Sequence, residues 1–303
     1  MVAVLSAVAA IVLLVALAVD HRELVGAPLW AKPLKFALSI AVYALTLAHL
    51  IPMIRRFRTV LWLVGLCTAV ALGLELVMIV AAAARDTTSH FNFTDTTSST
   101  VYVVMAASIG VVWTATLVVA VFLFRAPLGD RARRAAVRAG VALALVGMST
   151  GFLMVGPTGA QLADYRGIVG AHTVGAPDGG PGLPGLGWST VAGDLRVPHF
   201  LGMHALQLLP LLALTTELLA RRVAALRSDH VRARMVLVGA AAWVGVVGIA
   251  LWQALRGQSV VQADGATLVA GVLLLAATAT ATVAVVRAAA TPDSTDPLPH
   301  SSP

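Results

Sequence analysis

Lysine is almost missing from this chain: Lys32 and Lys35 are the only two among 21 basic residues. Charge of either sign is scarce as well, at 12% of residues, where a soluble domain carries about a quarter. That shortage excludes a globule with a water-facing surface all round. Cysteine is reduced to Cys67, inside an apolar run, so an intrachain disulfide, a thiolate metal cluster and a CxxC redox motif are excluded. No GxxxxGK[ST] phosphate loop is present.

Apolar sequence fills the space instead. The chain is 59% hydrophobic, and apolar runs long enough to cross a bilayer recur along it. Eight spans are predicted, near 2–19, 33–53, 59–84, 100–124, 136–156, 198–220, 235–256 and 266–287. The formal charge of +7 does not point to nucleic acid, because the arginines sit in short clusters between apolar runs. Those clusters (Arg55, Arg56, Arg58; Arg125 to Arg138; Arg221 to Arg234; Arg287) fall on alternate connections. One orientation satisfies them all, with both termini cytoplasmic. Fourteen of the basic residues then lie inside and seven outside. The expectation is an all-α, polytopic transmembrane helical bundle of the cell membrane, one domain over 1–290, with the lipid bilayer as its partner. The stretch 291–303, rich in Pro, Ser and Asp, is expected to be a disordered tail. Ala16-Leu17-Ala18 looks like a signal-peptide cleavage site, but no positive segment precedes the apolar run, and a retained first helix is expected.

The outward side collects His21, His90, His172, His199 and His204. Four connections reach it. The first ends in Trp30, Lys32 and Lys35, which suit either interfacial anchoring or an anion site at the start of the second span. The second holds the string Ser89-His90-Phe91-Asn92, which matters only if it folds back onto the other outer connections. The third, 157–197 between spans five and six, is long and rich in Gly and Pro. Loops of that length are commonly lids or binding elements, so a cap is expected, carrying His172, Asp178, Trp188, Asp194 and Arg196.

Helical rise sets depth. By that count His204 lies roughly 7 Å and Glu75 roughly 5 Å outward of the midplane. An ionisable group in hydrocarbon normally faces a partner or a cavity, and Glu75 beside His204 is the expected pair. His199 and His204 are five apart and point about 140° away from each other on a regular helix, whereas His204 and Gln207 share a face. Glu217, four residues before Arg221, is expected to pair with it. His49 reads as a core or interfacial histidine.

Ser89-His90-Phe91-Asn92 and the stretch from Gly193 to Gln207 resemble strings in uncharacterised bacterial multi-pass integral membrane proteins, a resemblance that implies no activity. The metal-dependent membrane hydrolases of the alkaline ceramidase and adiponectin-receptor type use H-x-x-x-H, where this chain has H-x-x-x-x-H. Haem A synthase has eight spans, but its histidines are paired at matching depths. The leading functional expectation is a membrane enzyme acting on a lipid or small anionic substrate. Glu75, His204, His199 and His90 would be catalytic, and Lys32, Arg196, Trp188, Gln207 and Asp194 would bind substrate. His199, His204, His172 and Asp178 would hold a divalent transition metal such as zinc or iron. A proton-coupled transporter using Glu75 and His204 is the alternative, and a haem- or quinone-binding redox protein the second.

Overall fold

A computed structural model describes residues 1–290; the tail expected at 291–303 lies outside the described residues. Eight helices are long and apolar enough to cross a membrane. They are α1 (Val2–Val19), α2 (Ala31–Leu50), α3 (Arg58–Ala84), α4 (Thr96–Arg125), α5 (Arg131–Thr150), α7 (Arg196–Leu219), α8 (Asp229–Leu255) and α9 (Gly265–Ala290), with a short α6 (Gly159–Ala163) between the fifth and sixth. Large apolar side chains such as Leu5, Leu45, Trp62, Val77 and Leu273 are exposed around the whole bundle. Water would not tolerate so much apolar surface, and lipid does. The chain is a multi-pass membrane protein.

Helix limits depart from the apolar runs where polar chemistry extends or cuts them. α8 starts at Asp229 rather than 235 and α5 at Arg131 rather than 136, because the arginines before each run continue the helix. Asp130 caps α5 by accepting from the Arg133 N–H at 2.8 Å, and its other oxygen accepts from Arg232 at 2.8 Å. α5 stops at Thr150, and a tight 3₁₀ turn, Gly151–Met154, follows. Asp95 caps α4 through Ser98, taking both its N–H at 2.9 Å and its hydroxyl at 2.6 Å.

The centre of the bundle is the crossing of α5 and α7. A Cβ on Gly147 would overlap the backbone of Gly202, and one on Gly140 would lie 3.0 Å from the Ala205 carbonyl oxygen. Small residues let helix backbones touch where no water is present to drive association. Trp243 ties α8 to this pair by donating to the Leu201 carbonyl at 2.9 Å. α3 packs on α4 and α2, α1 on α2, and α9 on α8.

The two ends differ. At one, α2 to α5 and α7 close over an apolar cluster that includes Leu47, Leu50, Leu61, Leu123, Val141 and Leu206. Arginine pairs surround that end, among them Arg133 with Glu217 at 2.7 Å. Glu217 therefore pairs across helices, not with Arg221 as its spacing suggests. At the other end the connections are woven together. Arg22 reaches Asp86 at 2.9 Å, Lys35 donates to the Leu186 carbonyl at 3.0 Å, and Ser259 donates to the Ser189 carbonyl at 2.8 Å. The two-stranded ribbons β1 (Glu23–Leu24) with β2 (Ala27–Pro28), and β3 (Thr173–Val174) with β4 (Gly193–Asp194), are antiparallel.

Gly147→Val is expected to force α5 and α7 apart and cost about 1–3 kcal/mol or more. Gly110→Ala, at a position with nothing within 4 Å, is expected to leave stability unchanged or raise it. Thermal unfolding of the two variants in detergent checks both.

Candidate functional site

The connection between α3 and α4 dips into the bundle. Asp86 and Phe91 both adopt left-handed backbone, with φ of 51° and 62°, which bulky side chains avoid. The reversal at Phe91 follows directly on His90 and turns its ring inward, against Phe36 at 5.7 Å between ring centroids. Phe91 is held between Tyr102 (5.9 Å) and His172 (4.9 Å). Gly170, at φ 107°, makes room for it, since a Cβ there would stand 2.6 Å from the Phe91 ring. The string does fold back onto the 157–197 connection: Asn92 bridges to Ile168, and the Phe93 N–H donates to the Gly167 carbonyl at 2.7 Å.

His90 thereby meets groups from two helices. Lys32, from the first turn of α2, donates to His90 Nδ1 at 3.2 Å, and Ser89 Oγ lies 3.0 Å from the same nitrogen. An ammonium only donates, so Nδ1 accepts and the ring proton sits on Nε2. That nitrogen faces Glu75 Oε1 at 3.7 Å. Glu75 is 1% exposed, and neither carboxylate oxygen has a hydrogen-bond partner among the described residues. His90 is 20% exposed at its side chain, so the cluster reaches the surface through the imidazole. Burial, followed by the nearby Lys32 ammonium and by the competing titration of His172, holds His90 well below its ordinary 6.5. It is a neutral base at neutral pH.

Other expected site residues hold the 157–197 connection together. Asp178 accepts from the His172 and Thr173 N–H groups at 3.0 and 2.9 Å, and lies 2.8 Å from His172 Nδ1. Burial raises its carboxyl, but those hydrogen bonds outweigh burial and leave it below the ordinary carboxylate range. Burial lowers His172, and Asp178 does not fully offset that. Asp194 accepts from the Ser189 and Arg196 N–H groups at 2.8 and 2.9 Å, and from Arg196 Nη2 at 2.6 Å. The same guanidinium donates to the Gly187 carbonyl at 2.6 Å. Arg196 and Asp194 are thus spent on each other and on the loop.

The expected pairing of Glu75 with His204 is not what the structure places together. α7 packs on α5 and α8, not chiefly on α3. The His204 ring lies against Phe200 at 4.2 Å between centroids, tilted by 58°, and Phe200 in turn meets Trp188 at 5.6 Å. Gln207 Nε2 donates to Thr46 at 3.0 Å. His199 Nδ1 sits 2.8 Å from the Gly147 carbonyl oxygen and staples α7 to α5. Among the described residues no group of three or more His, Cys, Asp or Glu is placed to hold a metal ion. His199, His204, His172 and Asp178 accordingly do not form one ligand set. Lys32 and Trp30 do not simply anchor at an interface: Lys32 turns inward to His90, and Trp30 donates to Asp20 at 2.8 Å. Ser89 stands outside the expected set, and its only signal was adjacency to His90.

Comparisons with protein-family models, with curated proteins and with solved structures found no match for this chain.

Because His90 and His172 are held neutral in the fold, the unfolded chain binds more protons once pH drops below 6.5. Stability is expected to be full above that pH and to fall as pH falls through it, by at most about 1.4 kcal/mol per pH unit for each histidine. Thermal unfolding in lipid nanodiscs between pH 8 and pH 5 measures this, and His90→Gln should reduce the slope while leaving the part that His172 contributes.

Proposed function

We propose that this chain is a membrane-embedded enzyme of the cell membrane, working from an outward-facing site under the cap, on a lipid or small anionic substrate. Both termini are cytoplasmic in this reading, the orientation that the positive-inside bias of the arginine clusters supports. The observation that carries it is the meeting of His90, Glu75 and Lys32 from three elements beneath the cap. His90 Nδ1 is the general base, Glu75 faces the Nε2–H and steadies the imidazolium formed on proton uptake, and Lys32 supplies positive charge for an anionic group. The acid–base chemistry rests on His90 and Glu75 and calls for no metal ligand set. Proton-coupled transport draws less support, because the apolar cluster around Leu50, Leu61 and Leu123 fills the route to the other end.

Full-length protein, Glu75→Gln and His90→Gln are to be expressed at equal level and the host's lipids and small anions compared by mass spectrometry. The parent chain is expected to change the abundance of at least one lipid or anionic compound. Each variant is expected to lower that conversion about 100-fold or more. Equal conversion by parent and both variants would reject the site.

A further inference from the structure

The connection that delivers His90 carries a hydroxyl one residue earlier. Ser89 is 4% exposed, and its Oγ stands 3.0 Å from His90 Nδ1. That hydroxyl makes no other hydrogen bond among the described residues. The contrast with other hydroxyls is informative. Thr46, Ser99, Thr114, Ser149 and Thr215 each donate to a carbonyl one helical turn earlier, satisfying themselves on their own backbone. Nor does Ser89 hold its loop, because Asn92 does so: its amide donates to Thr87 at 3.0 Å and its carbonyl accepts from the Thr94 N–H at 3.0 Å. Ser89 is aimed at the imidazole and at nothing else. The opposite ring nitrogen faces the Glu75 carboxylate at 3.7 Å. Hydroxyl, imidazole and carboxylate in series make up the set that turns a weak alcohol into a nucleophile. Phe91, two residues on, holds left-handed backbone that a bulky side chain adopts only when its surroundings impose it.

Resting on the acid–base reading above, we propose that Ser89 is a catalytic nucleophile and that the reaction is acyl transfer from a lipid or anionic ester. Ser89 Oγ attacks the ester carbonyl carbon while its proton passes to His90 Nδ1. The carbon–oxygen bond to the leaving alcohol breaks, and that alcohol takes the proton from Nδ1. A water molecule then attacks the seryl ester, giving a proton to Nδ1, and the carboxylic acid leaves as Ser89 regains its hydrogen. The imidazolium formed in each half faces Glu75. Lys32, which shares Nδ1 with Ser89, supplies a cation for the charge on the tetrahedral oxygen.

The test uses full-length protein in lipid nanodiscs and a small alkyl fluorophosphonate, whose phosphorus bonds to an activated serine oxygen as fluoride leaves. Peptide mass spectrometry is expected to find the adduct on Ser89. The labelling rate is expected to fall at least 100-fold in His90→Gln, and the adduct to vanish in Ser89→Ala. Folded parent protein with no adduct on Ser89 would overturn the proposal, and so would equal labelling rates with and without His90. The two readings separate cleanly. If Glu75→Gln and His90→Gln abolish conversion while Ser89 stays unlabelled and Ser89→Ala keeps converting, the acid–base site stands and the nucleophile falls. If neither variant alters conversion and Ser89 is unlabelled, both fall.

Discussion

A carboxylate enclosed within a membrane-length helix is the constraint from which the loop end follows. Glu75 is 1% exposed and its oxygens accept no hydrogen bond among the described residues. Placing an ionisable group at such depth costs about 3 kcal/mol or more, so cationic or proton-bearing groups must be brought to it. The helices supply Lys32. The second group, His90, comes from a connection, and a connection must bend inward to reach that depth. Bending it demands left-handed backbone at Asp86 and Phe91, and the displaced Phe91 ring demands a glycine at 170. One buried acid thus accounts for a strained loop, an aromatic cluster and a required glycine in a separate segment.

The same end shows how polar residues divide between holding and acting. Asp194 and Asp178 are saturated with donors from their own segment, as is common where backbone N–H groups at turns would otherwise lack partners. Their arginine and histidine neighbours complete those turns. Glu75 is the opposite case, a carboxylate that stabilises no turn and caps no helix. A group that contributes nothing to local structure yet persists at a cost is the better candidate for chemistry.

Run length made the eight spans legible, and the arginine clusters marked one end. Counting also placed Glu75 and His204 at similar depths, but depth says nothing of azimuth or of which helices touch. Glu75 looks toward α2 and the α3–α4 connection, and α7 packs elsewhere. Helical counting has no means of assigning depth to a loop residue, so His90 could not be put beside Glu75 that way. Glu217 illustrates the same gap: the i,i+4 partner Arg221 was visible, whereas Arg133 became available only through the α5–α7 crossing. That crossing left a trace in Gly140, Gly147 and Gly202, small residues whose meaning emerges only when both helices are read together. For Ser89, the neighbouring histidine was the whole of the signal.

The bundle's two halves give the site a direction. Between them lie two polar pairs, Tyr43 with Thr116 at 2.5 Å and Trp113 with Ser149 at 3.1 Å, while Thr68 Oγ1 and Gln207 Oε1 are buried without a partner among the described residues. Beyond those pairs, toward the arginine end, come Leu47, Leu50, Leu61, Leu123 and Val141 in mutual contact. A substrate or proton crossing the membrane would have to part that apolar cluster, giving up its packing contacts. A reaction that begins and ends on one side needs only the opening at which His90 is 20% exposed. The surrounding packing leaves Glu75 only 1% exposed, and in so apolar a setting its interaction with His90 and Lys32 is stronger than it would be in water.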